Sequence, residues 1–389
     1  MKIAAITAEF NPLHNGHLRL FSAVKDKLTP DIIIVLLGGD FTQRGDLALS
    51  DKYTRAKHAI LAGADAVLEL PQIFACSCAE RFADSAVKIL SSIRADERFI
   101  CFGSECGELS SISNAASILN AESVSMTEEI KANLDMGCSY PVARAQALLH
   151  YAEENNLPVA DPTLPNNILA IEYVRSAFNR RNVTPFTLKR VGKYHSDTLD
   201  AEAPSASAIR QAIYNGVSTE CIKKDVPSYV FADLLIVSQA DKLSPIALYK
   251  LMTMSPEGLK RINDVSEGIE NRILRLAKES KNLQELIKNV STKRYTEARI
   301  SRIIASALLG ITKPFFESEI QSEPYYKVLA VKKSKTDILS LLSHSGKVIT
   351  GETEAKESDN PSAMIDALAH DIFAIAKESP DLENGMLLV

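Results

Sequence analysis

An α/β fold is predicted, with a parallel sheet in the first half of the chain and a mainly helical C-terminal region after it. Three observations carry this expectation. Strand-length apolar runs alternate with helical patterns through about residue 190. Turn residues such as Asn11-Pro12 and Gly38-Gly39 follow those runs directly. Beyond about Pro204 the strand signal fades and helical spacing dominates.

In chain order, the expected strands are Ile3 to Ala8, Asp31 to Leu37, Ala66 to Leu70, Phe99 to Phe102 and Pro185 to Arg190. Between them, a helix starts from Ser50 as N-cap and runs to Ala62, where Gly63 ends it; another covers Glu80 to Ser92. Further helices are expected over Ala206 to Asn215, Ser228 to Ser238, Pro245 to Met252, Gly258 to Lys278, Leu283 to Val290 and Thr296 to Leu309. After Pro314 come a short strand, Tyr326 to Val331, and a terminal helix near Ala363 to Lys377, with the polar stretch Thr350 to Pro361 read as a flexible loop. The division drawn from this pattern is residues 1–215 and 216–389.

A chain of 389 residues with 46% hydrophobic and 24% charged residues can build a sizeable core and suggests two or three domains. No apolar run reaches the roughly 18 residues of a membrane span, and Glu9, His14 and His17 interrupt any signal-peptide pattern, so a cytoplasmic protein without membrane contact is expected. The six cysteines lack CxxC spacing and read as reduced thiols. With a net charge of −5, any nucleic-acid surface must be a local patch.

The run Glu9-Phe10-Asn11-Pro12-Leu13-His14-Asn15-Gly16-His17 stands at the first strand-to-helix junction. Two imidazoles three positions apart on a first helical turn face one way, toward the unpaired N–H groups and positive dipole of a helix start. Gly16 lets a nucleotide approach the backbone. The arrangement suits an α-phosphate that gains charge while pyrophosphate leaves. This is the HxGH device of the nucleotidylyltransferase superfamily, which the segment resembles.

Gly38-Gly39-Asp40-Phe41-Thr42-Gln43-Arg44-Gly45 follows the second strand at the end where open α/β sheets bind ligands. Arg44 can pair with phosphate or a substrate carboxylate, or be a solvated turn residue. Phe102-Gly103-Ser104-Glu105 ends the fourth strand in the same manner. Pro204-Ser205-Ala206-Ser207-Ala208-Ile209-Arg210 reads as a capped helix start and is similar to a nucleotidylyltransferase anion site, in which Ser207 and Arg210 would hold the β- and γ-phosphates. Lys332-Lys333-Ser334-Lys335-Thr336 looks like a synthetase lysine loop, but reads better as a solvated charge run. Asp65, Glu69 and Glu80 lack metal-ligand spacing; Mg²⁺ is expected only with ATP. The most basic stretch holds Lys288, Lys293, Arg294, Arg299 and Arg302 around Tyr295, with Arg272 and Arg275 a second pair. It is either an RNA phosphate track with Tyr295 for stacking or an ordinary solvated face.

Taken together, the chain resembles the tRNA(Met) cytidine acetate ligase family, a branch of the HxGH nucleotidylyltransferases with a Rossmann-like domain. The carrying segments are the HxGH run, Asp40-Phe41-Thr42-Gln43-Arg44-Gly45, Phe102-Gly103-Ser104-Glu105, Pro165-Asn166-Asn167-Ile168-Leu169-Ala170-Ile171-Glu172-Tyr173, Lys189-Arg190 and Lys293-Arg294-Tyr295. Leu13 and Ala170 stand where many relatives carry Phe and Gly. The resemblance implies an ATP-binding loop of Thr7, Ala8, Glu9, Phe10, Asn11, Pro12, Leu13, His14, Asn15, Gly16, His17, Leu18, Arg19 and Leu20, with Gly103, Asn166 and Arg190 as further contacts. It also implies activation of acetate by ATP and transfer of the acetyl group to the wobble cytidine of elongator tRNA(Met). His14, His17 and Arg44 would be the catalytic groups, and Lys293, Arg294, Tyr295, Arg299 and Arg302 the RNA contacts. Two alternatives stay open: an adenylyltransferase for a small phosphorylated metabolite, and a non-catalytic ATP- and RNA-binding protein.

Overall fold

The computed structural model describes residues 1–121, 123–190, 205–216, 219–237, 242–266, 268–380 and 382–389. Among them, eight strands share one sheet: β1 (Lys2–Ala8), β2 (Ile32–Gly38), β3 (Ala66–Leu70), β4 (Glu97–Ser104), β5 (Thr184–Lys189), β6 (Tyr326–Val331), β7 (Val348–Ile349) and β8 (Leu387–Leu388). The order is β5-β4-β1-β2-β3-β6-β7, with β8 beside β6. All five strands expected in the first half are present, and β1 to β5 are parallel. The chain leaves β1 toward β2 on one side and returns to β4 on the other. This reversal opens a crevice at the C-terminal ends of β1 and β4, where open α/β sheets bind ligands.

Buried on both faces, β2 reads as the continuous run Ile32-Ile33-Ile34-Val35-Leu36-Leu37. Ile34 and Leu36 pack with Phe82, Ile112 and Ile171 on one face, while Val35 and Leu37 pack with Phe21, Tyr53 and Ile209 on the other. The helix Lys52–Leu61 is capped by Asp51, whose side chain accepts from the N–H of Tyr53 and Thr54; Ser50 therefore lies one position before the true cap. Helices Leu109–Ala121, Val124–Asp135, Tyr140–Glu154 and Pro165–Arg180 fill the stretch between β4 and β5.

Residues 243–321 form a helical wing with its own core, which includes Leu251, Leu259, Ile273, Leu286, Ile300 and Ile303. The single helix expected over Gly258 to Lys278 is two, Pro256–Lys260 and Ile269–Ala277, because Asp264 (φ 65°) and Gly268 (φ 79°) take left-handed backbone between them. The helix at Ser228 ends at Leu234; Ser238, like Pro204, lies outside the described residues.

Beyond the wing the chain returns to the sheet. Strand β6 pairs antiparallel with β3, and the helix Pro361–Ala376 packs against the Gln72–Ala75 turn of helix. The division at 215/216 therefore places β6 to β8 with the helices, whereas their pairing is with the nucleotide-half sheet. Thr350 to Pro361 is not a loop but contains the helix Glu352–Glu357. Its Glu352 is buried in a square of charges: Lys52 Nζ stands 2.9 Å from Glu69 and 2.8 Å from Glu352, and Lys327 Nζ 3.2 Å and 2.7 Å from the same two. The Lys332-to-Thr336 run lies at the opposite end of the sheet from the crevice, exposed apart from half-buried Lys335, whose Nζ donates to Asp31 O at 3.1 Å.

Candidate active site

Every part of the HxGH turn is held by backbone. His14 is the N-cap of helix Asn15–Leu28, and its Nδ1 accepts from Gly16 N at 3.0 Å. His17, three positions on, accepts at Nδ1 from the His14 N–H at 3.1 Å. Both Nδ1 atoms therefore act as lone pairs, which leaves the proton on each Nε2 as a donor. Burial, reinforced by the Arg190 charge, drives the His14 pKa down to about 3 and holds His17 well below its ordinary value. Two neutral imidazoles stand 3.8 Å apart between ring centres, and Phe10 meets His17 edge-on at 4.9 Å. Gly16 has a concrete reason: a Cβ there would lie 2.8 Å from His14 Cε1, displacing the ring from its cap.

Asn11 is buried, and its Oδ1 accepts from Leu49 N at 2.8 Å. The loop Asp40 to Ala48 folds back on itself through Thr42 N to Asp46 O and Ala48 N to Asp40 O, both 2.8 Å. Its tip carries Arg44, exposed, and Gln43, whose N–H donates to Glu9 Oε1 at 2.6 Å. Gly45 (φ +91°) touches the helical wing, where an added Cβ would come within 2.5 Å of Arg302 N. Below the loop, buried Arg55 donates to the carbonyls of Glu9, Gly38 and Gly39 at 2.7, 2.9 and 2.6 Å. Asp40 accepts from His370 at 2.7 Å; burial opposes its charge, but His370, Lys52 and Arg55 hold its carboxyl well below the usual range.

The third wall comes from β4, β5 and helix Pro165–Arg180. Glu105 accepts from Asn166 N, Asn166 Nδ2 and Asn167 N at 3.1, 2.7 and 2.7 Å, while Asn167 Oδ1 accepts from the N–H of Glu105 and Cys106 at 3.0 and 3.2 Å. Arg190 donates to Asn166 Oδ1 at 3.1 Å. Sequence reasoning placed Asn166 and Arg190 here but missed Glu105 and Asn167 as the clamp between them. The available signal was an acidic residue after a strand paired with Asn-Asn at a helix start. On the fourth side, Ser205 caps helix Ala206–Tyr214, and Arg210 donates to Asn11 O at 2.6 Å and Ser207 Oγ at 3.2 Å.

These groups line one open cleft of about 1300 Å³, and Thr7, Glu9, His14, His17, Arg44, Gly103, Asn166, Arg190, Ser207 and Arg210 all face it. Of the basic stretch, only Arg302 does. Tyr295 is not an exposed stacking face: it is buried, bonded to Ser266, and covered by the Arg299 guanidinium at 4.4 Å. Arg299 in turn donates from Nε to Asp264 Oδ1 at 3.1 Å and from Nη2 to Asp264 O and Ser266 Oγ, both 3.1 Å. Lys293 and Arg294 are exposed on the turn before that helix. Among the described residues, no group of three His, Cys, Asp or Glu side chains is placed to hold a metal.

Comparisons with known proteins agree with this geometry. The HIGH Nucleotidyl Transferase family pattern matches residues 1–385. A tRNA(Met) cytidine acetate ligase of Clostridium perfringens is 34% identical, covering 100% of this chain and 98% of its own. One from Thermoanaerobacter sp. strain X514 is 36% identical over 98% and 97%. Crystal structures of Thermotoga maritima TmcAL, one apo and one bound with alpha-thio ATP, superpose with TM-scores of 0.87 and 0.85 at 25% identity over the whole of both chains.

Proposed function

Because the chain belongs to the HIGH nucleotidyl transferases, and within them to the tRNA(Met) cytidine acetate ligases, we propose that its cleft joins acetate to ATP and passes the acetyl group to tRNA. It is an ATP-dependent ligase acting on tRNA. The observation that carries the site assignment is the pair of neutral histidines whose Nε2 donors are set by backbone. An acetate oxygen attacks the α-phosphorus, the α–β bond breaks and pyrophosphate leaves. The cytidine exocyclic nitrogen then attacks the acetyl carbonyl; AMP leaves and the nitrogen loses a proton. In the first step charge builds on the α-phosphoryl oxygens, where prearranged donors act without reorganising. His14 and His17 supply those donors, Arg44 and Arg190 bring positive charge to the acetate and phosphate oxygens, and Ser207 and Arg210 face the outer phosphates. Mg²⁺ would arrive with ATP, held by its phosphate oxygens, and would neutralise part of their charge.

The small-metabolite alternative leaves the wing side of the cleft without a task. Elongator tRNA(Met), with its wobble cytidine, fits better, the wing offering Lys288, Lys293 and Arg294 at its surface. The test is incubation with ATP, acetate and unfractionated tRNA, followed by nucleoside analysis. Acetate-dependent N4-acetylcytidine is expected; acetylation from acetyl-CoA without ATP would refute the reading.

A further inference from the structure

The cleft is larger than one nucleotide needs. Pockets that hold a drug-sized ligand run to roughly 300–1,000 Å³, and this one reaches about 1300 Å³. Its inner walls are the phosphate and nucleotide groups described above. The outer wall is built by the helical wing, from Ser244, Asn282, Gln284, Ile287, Thr296 and Arg302. We infer that this outer wall is a subsite for the acceptor nucleoside, a pyrimidine drawn out of a single-stranded RNA loop, with Gln284 and Arg302 contacting the base. The inference rests on the tRNA reading above.

Three features support it. First, the wall's chemistry differs from that of a polyanion site: two carboxamides, hydroxyls, an aliphatic face and one guanidinium suit the polar edge and flat face of a base. Arg302 Nη2 stands 3.6 Å from Asp264, and among the described residues its buried Nε has no hydrogen-bond partner. Second, exposed cations stand beside this wall but outside the cleft, Lys288 on one of its helices and Lys293 and Arg294 on the turn that leads into the other. Helix Leu283–Val290 presents Gln284 and Ile287 to the cleft and Lys288 to solvent, and Arg272 is pinned beside it through Asn289 O at 2.7 Å. Phosphates on the outer face and a base in the cleft would follow one continuous strand. Third, the span between the two walls is fixed, because Gly45 seats the Arg44 loop directly on the backbone of helix Glu297–Leu309. Chemistry on a base requires that base to leave its stack, and this wall lines the same cleft as His14 and His17.

The test separates base from phosphate and from nucleotide. Gln284 is exposed, so Gln284→Ala should fold normally; Arg302→Lys is the second variant. Each is assayed for acetate-dependent ATP–pyrophosphate exchange, for acetyl transfer to saturating unfractionated tRNA, and for the salt dependence of tRNA binding. Transfer should fall about tenfold or more, with exchange and the log–log salt slope as in the parent. Parent-like transfer in both variants overturns the subsite. So does an equal fall in exchange and transfer, which would put these side chains at the nucleotide. A parent protein that exchanges pyrophosphate but acetylates no tRNA refutes the tRNA reading, and this inference with it.

Discussion

The nucleotide wall and the helical wing hold their functional side chains by different means. At the HxGH turn, peptide N–H groups fix both imidazoles, and the groups that do so lie within residues 14–17. On the wing, cationic side chains are held through their own charged ends by side chains and carbonyls far away in sequence, and these decide which cations are available: Arg299 is consumed by Asp264 and Ser266 while Lys293 faces solvent. A motif written into local backbone geometry keeps its meaning when read from sequence. A charge pattern on a helix does not, because its partners are set by tertiary packing.

Loss of a backbone-fixed donor should have the largest effect. His17→Ala is expected to raise the barrier to acetate-dependent AMP formation by about 2–4 kcal/mol with little change in ATP affinity; near-parental turnover in the folded variant would erase the contrast. The same pair sets a pH dependence. Since folded His14 titrates near 3 and its unfolded counterpart near 6.5, the unfolded chain binds more protons between those values. The pair's contribution to stability is therefore full above about pH 6.5 and falls as the pH drops, by about 1 kcal/mol per unit for each such histidine. Denaturant melts from pH 7 to 4.5 should show it as a difference: relative to His14→Phe, the parent loses stability as the pH drops, whereas buried Asp366, raised to about 7, acts alike in both.

On the wing, Arg299→Ala should cost about 1–2 kcal/mol of stability, a figure discounted for its partial exposure, and leave the salt slope of tRNA binding in place. A changed slope with unchanged melting would return Arg299 to the RNA surface. The smallest stability effect belongs to Lys288→Ala with Lys293→Ala: within roughly 0.5 kcal/mol in melting, but a slope lower by roughly one unit per lost phosphate contact. An unaltered slope and dissociation constant would leave these cations with no part in recognition.

Strands β1 to β5 were legible to within a few residues, since runs such as Ile32 to Leu37 admit no other element before a glycine pair. The three helices from Leu109 to Glu154 were not resolved singly, being rich in small residues whose apolar stripe is weak. Antiparallel pairing of β6 with β3 was hidden as well, because nothing near Tyr326 names a partner some 260 residues earlier. Glu352 explains the misread loop: a buried carboxylate looks like a polar surface residue until Lys52 and Lys327 are in place. In the site, the His14–His17 geometry was readable and the Glu105–Asn167 clamp was not, since its halves lie 62 positions apart.

The bond between His370 and Asp40 spans 330 positions. At a synthesis rate of roughly 5–20 residues per second, about 15–65 s pass between the two leaving the peptidyl-transfer centre. During that interval the loop bearing Arg44 exists without the histidine that braces its base, and the outer edge of β3 is bare of β6. A nascent chain thus carries its whole histidine motif early yet gains a braced cleft late, so premature release would yield a protein that has the signature without the machine.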